Sequence, residues 1–370
     1  MTDKDADKRA ADLLHHRAQG LVKGDPIALP LVSSSMFHLP GDPDGAASYG
    51  RTNNPTCEAV ERSLSVLEDA PCVCFPSGMA AISAALFATL RAGQTLLIPS
   101  DGYYVTRLLA DRFLAGLGVT VIQRPTCHFA EGGFDGIDVV FIESPSNPGL
   151  DLCDIAAIAR DVRRRGGKTI VDNTTMTPFG QRPLDLGADM IVASDTKAPG
   201  GHSDLLMGHV ATRDEALHRA VLDWRTISGA VAAPNAAWLL HRGLETLELR
   251  FARMCHSAGI LAAALIDHPA VINIRYPGLP TDSAHDLARR QMSTFGFLIG
   301  LTLPDKDQAE RFIANCRLLR PATSFGGVHS SAERRARWGD AVPDGFVRLS
   351  IGCEPTGTLL DDFLSALNNL

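Results

Sequence analysis

The sequence predicts an α/β protein with a mainly parallel central sheet, helices on both of its faces, and a smaller C-terminal α/β domain. Three observations lead there. From about Ala46 to Thr212, short β-branched runs alternate with helical patterns, the signature of βαβ units. Several of these runs are apolar on successive residues rather than on every second one, as strands are when both sheet faces are covered. The chain has 370 residues, 45% of them hydrophobic, enough for one large core and one smaller one.

Taken in order, residues 1–45 hold one short helical pattern and then a stretch rich in Gly, Pro and Asp. Such a segment forms no core alone, so it is expected to be an arm reaching a neighbouring subunit. Residues 46–227 are expected to form the large domain. Its predicted strands are TLLIP (95–99), VTVIQ (119–123), DVVFIE (138–143), KTIVDN (168–173), DMIVAS (189–194) and MGHVAT (207–212). Residues 228–370 open with one long helical stretch, NAAWLLHRGLETLELRFARMCHSAGILAAALI, and then alternate strands such as FGFLIGLTL (295–303) and FVRLSIG (346–352) with helices. Ligands of such sheets gather at the carboxyl ends of the strands.

The formal charge of -7 offers no general attraction to nucleic acid or to an anionic membrane, and no basic run stands out that could act locally. The start of the chain is charged, without the apolar centre of a secretory signal, and no uninterrupted apolar stretch approaches about 18 residues. A cytoplasmic enzyme acting on small molecules is expected. Eight cysteines are scattered without a C-x-x-C pair, which favours reduced thiols over a metal cluster or a disulfide framework.

The sharpest local signal is Ser194-Asp195-Thr196-Lys197-Ala198-Pro199-Gly200-Gly201, which begins where DMIVAS ends and is too rich in Gly and Pro for a helix. Lys197 therefore sits on a strand-end loop. A lysine there forms an imine with a carbonyl cofactor when burial or nearby positive charge lowers its pKa and frees the neutral amine. Ser194 and Thr196 are small hydroxyl donors suited to a phosphate, and the glycines let backbone N–H groups approach one. Asp172, in IVDNTTMTP, ends the preceding predicted strand 25 positions earlier. If the two strands are neighbours, about 4.8 Å apart, acid and amine can flank one flat ring, the aspartate keeping a pyridine nitrogen protonated. Taken alone, Asp172 also fits a turn or helix cap.

Two further segments follow strands. Phe75-Pro76-Ser77-Gly78-Met79-Ala80-Ala81 leads into the helical pattern AAISAALFATLRAG, and backbone amides at such a helix start bind phosphate, although small residues there also fit a simple cap. Asp101-Gly102-Tyr103-Tyr104-Val105-Thr106-Arg107 follows TLLIP and offers an aromatic that could stack on a cofactor ring or pack in the core. Tyr49 lies in another polar cluster, Tyr49-Gly50-Arg51-Thr52-Asn53-Asn54-Pro55-Thr56. The dinucleotide loop G-x-G-x-x-G is missing, since Gly116-Leu117-Gly118 has no third glycine at the required position.

Together YGRTNNPT, SGMAA, DGYYVTR, ESPSNP, VDNTTMTP, SDTK with GGHSD, ATSFGGVHS and VRLSIGCE form an ordered set. In these motifs the chain resembles the cystathionine γ-lyase and γ-synthase group of Cys/Met-metabolism enzymes, pyridoxal-5'-phosphate (PLP) enzymes of fold type I, from about Tyr49 to Glu354. The resemblance implies that Lys197 carries PLP as a Schiff base and serves as the catalytic base, that Asp172 faces the pyridine nitrogen with Thr174 beside it, and that Tyr103 stacks on the ring. It implies that Gly78, Met79, Ser194 and Thr196 hold the phosphate, while Tyr49 and Arg51 reach the phosphate of a neighbouring subunit. That arrangement makes a homo-oligomer of catalytic pairs, usually a tetramer. Asn147, Ser324 and Arg348 match positions that bind the substrate α-carboxylate, Arg348 as a bidentate fork.

The chain departs from the family pattern at four places. Ala198 stands where a bulky residue usually follows the lysine, and Tyr104 and Val105 replace a glycine pair after the stacking tyrosine. Thr323 replaces the glutamate that meets the distal ammonium group of cystathionine, a group that a neutral threonine cannot pair with. His329 replaces the glutamate after the glycine pair. The expected activity is a trans-sulfuration C–S lyase that γ-eliminates cystathionine or a related thioether to a thiol, a 2-oxo acid and ammonia. Alternatives are γ-replacement on an activated homoserine, β-elimination, or an inactive relative that serves as a binding protein.

Overall fold

The structure, a computed structural model, describes residues 3–370; the first two residues of the expected arm lie outside the described residues. A seven-stranded sheet is built from β1 (Cys72–Phe75), β2 (Thr95–Pro99), β3 (Thr120–Arg124), β4 (Val139–Glu143), β5 (Lys168–Asp172), β6 (Met190–Ala193) and β7 (Gly208–Ala211). Their order is β1-β7-β6-β5-β4-β2-β3, and only β7 runs against the rest, antiparallel to both β1 and β6. The mainly parallel sheet that the sequence predicts is therefore present. The reversed direction of MGHVAT is an addition to the prediction.

Burial explains why the strands read as unbroken apolar runs. Every residue of β4 is buried, yet the pleat still sorts them by face. Val139 and Phe141 pack with Ile82 and Leu86 of the helix Gly78–Thr89, while Val140 and Ile142 pack with Ile155, Ile158 and Val162 of the helix Ile155–Arg164. Helices start where side chains cap them: Asn54 before Pro55–Glu68, Ser77 before Gly78–Thr89 and Asp154 before Ile155–Arg164 each accept a backbone N–H of the first turn.

The second sheet joins β8 (Asn273–Arg275), β9 (Leu298–Thr302), β10 (Arg320–Pro321), β11 (Ser331–Arg334) and β12 (Phe346–Ser350) in the order β10-β11-β12-β9-β8. On β12, Val347 and Leu349 enter a core with Leu261, Phe312 and Phe363 of the covering helices. Arg348 and Ser350 alternate with them and are also buried, on the opposite face. The single helical stretch expected after Ile227 is two helices, Pro234–Leu244 and Leu247–Leu265. At the junction, Arg250 donates to the carbonyl of Gly243 at 2.6 Å and to those of Ala198 and Pro199 at 2.7 and 3.2 Å. Leu240 and Leu244 of the first helix share a core with Leu64 and Leu67 of the helix Pro55–Glu68.

Part of the expected arm lies on its own subunit. Leu13, in the helix Asp3–His15, is buried in the same core as Leu64, and the carbonyls of Leu29, Pro30 and Val32 accept from Trp238, Thr56 and Asn54 at 2.8, 2.9 and 2.8 Å. Ile27 and Met36 remain 83% and 74% exposed.

Beneath the lysine loop, His209 on β7 lies between two carboxylates. Its Nδ1 is 2.9 Å from Asp195 Oδ1 and its Nε2 is 3.3 Å from Glu68 Oε1, all three side chains being buried. Burial alone would push the imidazole pKa down, but Asp195 and then Glu68 outweigh it and raise the value to about 10. Because the folded value lies above the ordinary 6.5, the stability that protonated His209 contributes is complete below about pH 6.5 and is lost as pH rises through 10. His209→Leu leaves two facing carboxylates buried without their cation, a loss of about 3–5 kcal/mol. Urea unfolding at pH 7 should show that loss, and the gap between wild type and variant should close as pH approaches 10; equal midpoints at pH 7 would refute the charge assignment.

Candidate active site

The carboxyl ends of the parallel strands open into one cavity of about 350 Å³. Twelve of the fourteen expected site residues line it: Gly78, Met79, Tyr103, Asn147, Asp172, Thr174, Ser194, Thr196, Lys197, Thr323, Ser324 and Arg348. Tyr49 and Arg51 do not. Tyr49 is 46% exposed, and Arg51 sits over its ring and donates to the Thr226 carbonyl at 2.9 Å.

At the floor, β5 and β6 are direct neighbours, as the sequence argument required, with Asp172 opposite Val192. Thr174 links them: its N–H donates to Asp172 Oδ1 at 3.0 Å, and its hydroxyl accepts the N–H of Ser194 at 2.8 Å. Burial raises the Asp172 pKa against the opposing pull of Thr174 and Lys197. Lys197 is shifted the other way, to about 8, by burial first and then by the charge of Arg348, with Asp172 opposing. Its amine is thus far more available as a neutral nucleophile or base than that of a surface lysine.

The loop that carries Lys197 is held on several sides. Asp195 is tied to His209, and Arg250 takes the carbonyls of Ala198 and Pro199. Gly326, at φ +83°, comes so near that a Cβ there would lie 2.6 Å from the Ala198 nitrogen. A larger residue at 198, the usual choice in the resembling family, would have to be housed where fully buried Ala198 now packs.

One wall is shaped for an anion. Ser77 Oγ accepts from Ala80 and the Ser77 carbonyl accepts from Ala81, whereas the N–H groups of Gly78 and Met79 have no acceptor among the described residues. Packing is tight here: a Cβ on Gly78 would lie 2.6 Å from the Cβ of Ser194, and one on Gly208 would lie 2.7 Å from the Cα of Gly78. The hydroxyl of Thr175, buried at the cavity, also lacks a partner. Unpaired donors at a helix start, two flanking hydroxyls, an acid at one end and a lysine amine of lowered pKa beside it fit a flat aldehyde bearing a phosphate. Among the described residues, no group of three or more His, Cys, Asp or Glu side chains could hold a metal ion, and no helix is long and apolar enough to cross a membrane.

The opposite wall comes from the second sheet. Arg348 donates through Nη1 to Asn147 Oδ1 and through Nη2 to the Ser324 carbonyl at 3.2 Å and Glu333 Oε2 at 3.1 Å. The Phe325 ring lies near both cations, 5.3 Å from Lys197 Nζ and 5.1 Å from the Arg348 guanidinium. Ser324 has φ +96°, a conformation uncommon for a residue with a side chain. Thr323 faces the cavity and donates to Glu333 at 2.7 Å, while His329 is exposed and does not line it.

Sequence reasoning missed Glu143, Phe325, Arg335 and Trp338, all of which line the cavity. Glu143 ends β4 in register with Asp172 on β5, so the search for acids at strand ends that found one would have found the other. It accepts the N–H of Tyr103 at 2.6 Å and that of Asn147 at 2.7 Å, and burial followed by the charge of Asp172 pushes its pKa up. Arg335 and Trp338 carried no signal, because ERRARW reads as a solvated charged run.

Comparison with known proteins agrees with this geometry. Residues 14–368 match the family described as Cys/Met metabolism PLP-dependent enzyme. A Streptomyces coelicolor protein named "Putative cystathionine gamma-lyase" is 47% identical over 94% of this chain and 90% of its own. The crystal structure of cystathionine γ-synthase from Xanthomonas oryzae pv. oryzae in complex with cystathionine superposes with a TM-score of 0.92 at 31% identity, covering 97% of each chain. That of apo CalE6, a methionine γ-lyase from Micromonospora echinospora, gives 0.91 at 34% identity over 97% of this chain and 98% of its own. With its sheet order, its strand-end lysine and aspartate, and a match over nearly its whole length, the chain belongs to the family of PLP-dependent enzymes of cysteine and methionine metabolism.

Proposed function

We propose that the chain is a PLP-dependent C–S lyase of the cystathionine γ-lyase type. It would cleave the Cγ–S bond of a homocysteine thioether, consuming one water and releasing a thiol, 2-oxobutanoate and ammonia. The observation that carries this reading is Lys197: a half-buried lysine that lines the cavity with its pKa lowered to about 8, subject to the charges of Asp172 and Arg348. When bound, PLP supplies an electron sink for the charge left at the substrate Cα.

The residues then divide the work. Lys197 would hold the cofactor, would take the Cα proton once its amine is free, and would next move a proton at Cβ so that the thiolate can leave from Cγ. Asp172, fixed by Thr174, holds the pyridine nitrogen, and Tyr103 covers the ring. Gly78, Met79, Ser194 and Thr196 bind the phosphate. Arg348, with Asn147 and Ser324, binds the α-carboxylate as a fork and so orients Cα towards Lys197.

Tyr49 and Arg51 serve a neighbouring subunit's phosphate. Their position outside the subunit's own cavity supports this, as do the exposed apolar side chains of the arm. The assembly is a pair of catalytic pairs, a tetramer. Eight free cysteines support a reducing, cytoplasmic setting. In γ-replacement on an activated homoserine the same residues would act up to loss of the γ substituent, and the product separates the two reactions.

The purified holoenzyme should absorb in the visible, and borohydride should bleach it. Lys197→Ala should lose that reducible band and at least about 10³-fold in kcat; near-normal turnover would refute the assignment. Incubated with thioethers, the wild type should release 2-oxobutanoate, and pyruvate in its place would mean β-elimination. Arg348→Lys should raise KM by about 10–100-fold with a smaller change in kcat, since the ammonium cannot reproduce the fork. Arg51→Ala should weaken cofactor retention. Mixing inactive Lys197→Ala with Arg51→Ala subunits should restore activity in hybrid pairs that own one intact site; no restoration would place Arg51 outside the partner's site.

A further inference from the structure

Glu333, on β11, is 1% exposed and accepts five donors. They are Thr323 Oγ1 at 2.7 Å, Trp338 Nε1 at 2.6 Å, Arg335 Nη1 at 2.8 Å, Arg337 Nη2 at 2.9 Å and Arg348 Nη2 at 3.1 Å. Burial would raise its pKa, but these bonds outweigh burial and bring it down to about 2, so it is an anion throughout the working range. A carboxylate has room for about four lone-pair directions. Glu333 is saturated, and nothing of it remains for a ligand.

The consequence falls on the cavity wall formed by Thr323 and Trp338. Arg335 is also spent: beyond Glu333, its Nε and Nη2 meet Asp340 at 2.8 and 2.6 Å. Asp340 is thereby paired as well. Thr323, Tyr104, Leu206 and Trp338 line the cavity, and the carboxylate that Thr323 and Trp338 are tied to, Glu333, has no free lone pair to offer a ligand. Trp338 is 55% exposed, yet its ring is fixed, with its N–H on a buried anion and the Arg337 guanidinium 5.5 Å over its face. A large indole fixed against the wall of a cavity is a stacking surface for an apolar group. A distal ammonium group brought to the same place would meet three arginines against two engaged carboxylates, Glu333 and Asp340, and would be desolvated without a partner.

We propose that Trp338, held in place by Glu333, is a specificity-determining shelf that selects thioether amino acids whose side chain ends in an uncharged alkyl group over those ending in a charged amino acid. This rests on the C–S lyase reading given above. Trp338 is the contact, and Glu333 is a positioning residue that aligns the shelf with the Arg348 fork, so a substrate is gripped at its two ends by groups sharing one anion.

Two ligands that cannot lose a γ-thiol separate the parts. L-Norleucine, the all-carbon isostere of methionine, reaches the shelf, whereas L-alanine engages only the α-carboxylate end. Dissociation constants follow from the visible absorbance change of the holoenzyme. In Trp338→Ala, norleucine should weaken about tenfold while alanine changes less than about twofold; Trp338→Phe, which keeps a ring, should stay within about threefold of wild type for both. Glu333→Gln should weaken both ligands, because Arg348 and Trp338 lose their anion together. In turnover, wild type should show a higher kcat/KM for L-methionine than for L-cystathionine, and Trp338→Ala should erase the difference through the KM of methionine. Equal weakening of norleucine and alanine in Trp338→Ala, or a wild type that prefers cystathionine, would overturn the shelf. Failure of the enzymatic reading itself would look different, with neither thioether yielding 2-oxobutanoate.

Discussion

The buried chain of Glu68, His209 and Asp195 is the constraint on which the site depends, because it fixes the backbone that carries Lys197. Asp195 is two residues before the lysine, His209 lies on the reversed strand β7, and Glu68 ends the helix Pro55–Glu68. A single proton-bearing imidazole thus joins three elements with no access to water. Arg250 completes the grip from the helix Leu247–Leu265 by taking the two carbonyls that follow Lys197. Paired buried charges of this kind add little net stability compared with apolar packing, but they penalise any other arrangement of the loop severely. A lysine in the proposed role, holding a cofactor and later moving as a base, would benefit from a backbone that does not move with it.

Two carboxylates, Glu143 and Glu333, organise the surroundings of Arg348 in complementary ways. Glu143 collects backbone N–H groups, those of Tyr103 and Asn147, and so ties the aromatic loop to the loop that pairs with Arg348. Glu333 collects side chains from the second sheet, including Arg348 itself. The fork therefore sits at the meeting point of two networks, one rooted in each sheet. A shift of either sheet relative to the other would therefore displace the Arg348 guanidinium.

The legible part of this molecule is what local chemistry writes into consecutive residues. The strand TLLIP coincides with β2, and Asp172 and Lys197 were readable as partners because the end of a strand is encoded by the break in its apolar run. Ser77 and Gly78 were readable for the same reason at a helix start. By contrast, ERRARW gives no hint that Arg335 is buried or that Trp338 faces a cavity, since only long-range pairing with Thr323, Asp340 and Arg348 turns those charges inward. The direction of β7 was equally hidden: a four-residue apolar strand reads the same in either sense. The break between Leu244 and Leu247 has no proline, and Arg250 capping the Gly243 carbonyl is a tertiary event.

The crowding among Gly78, Ser194 and Gly208 has a thermodynamic meaning. Where a Cβ would collide at 2.6–2.7 Å, three backbones are already in contact, and the shape of the anion-binding wall is set by main chain rather than by side-chain rotamers. Main chain held by a sheet and a helix has little conformational entropy left to lose. A ligand entering such a wall gives up its own freedom but demands almost none from the protein, so most of the interaction energy survives as affinity. Retaining a cofactor through many turnovers, while the covalent bond to its lysine is repeatedly broken, is a task for which a pre-formed cradle of this kind is suited.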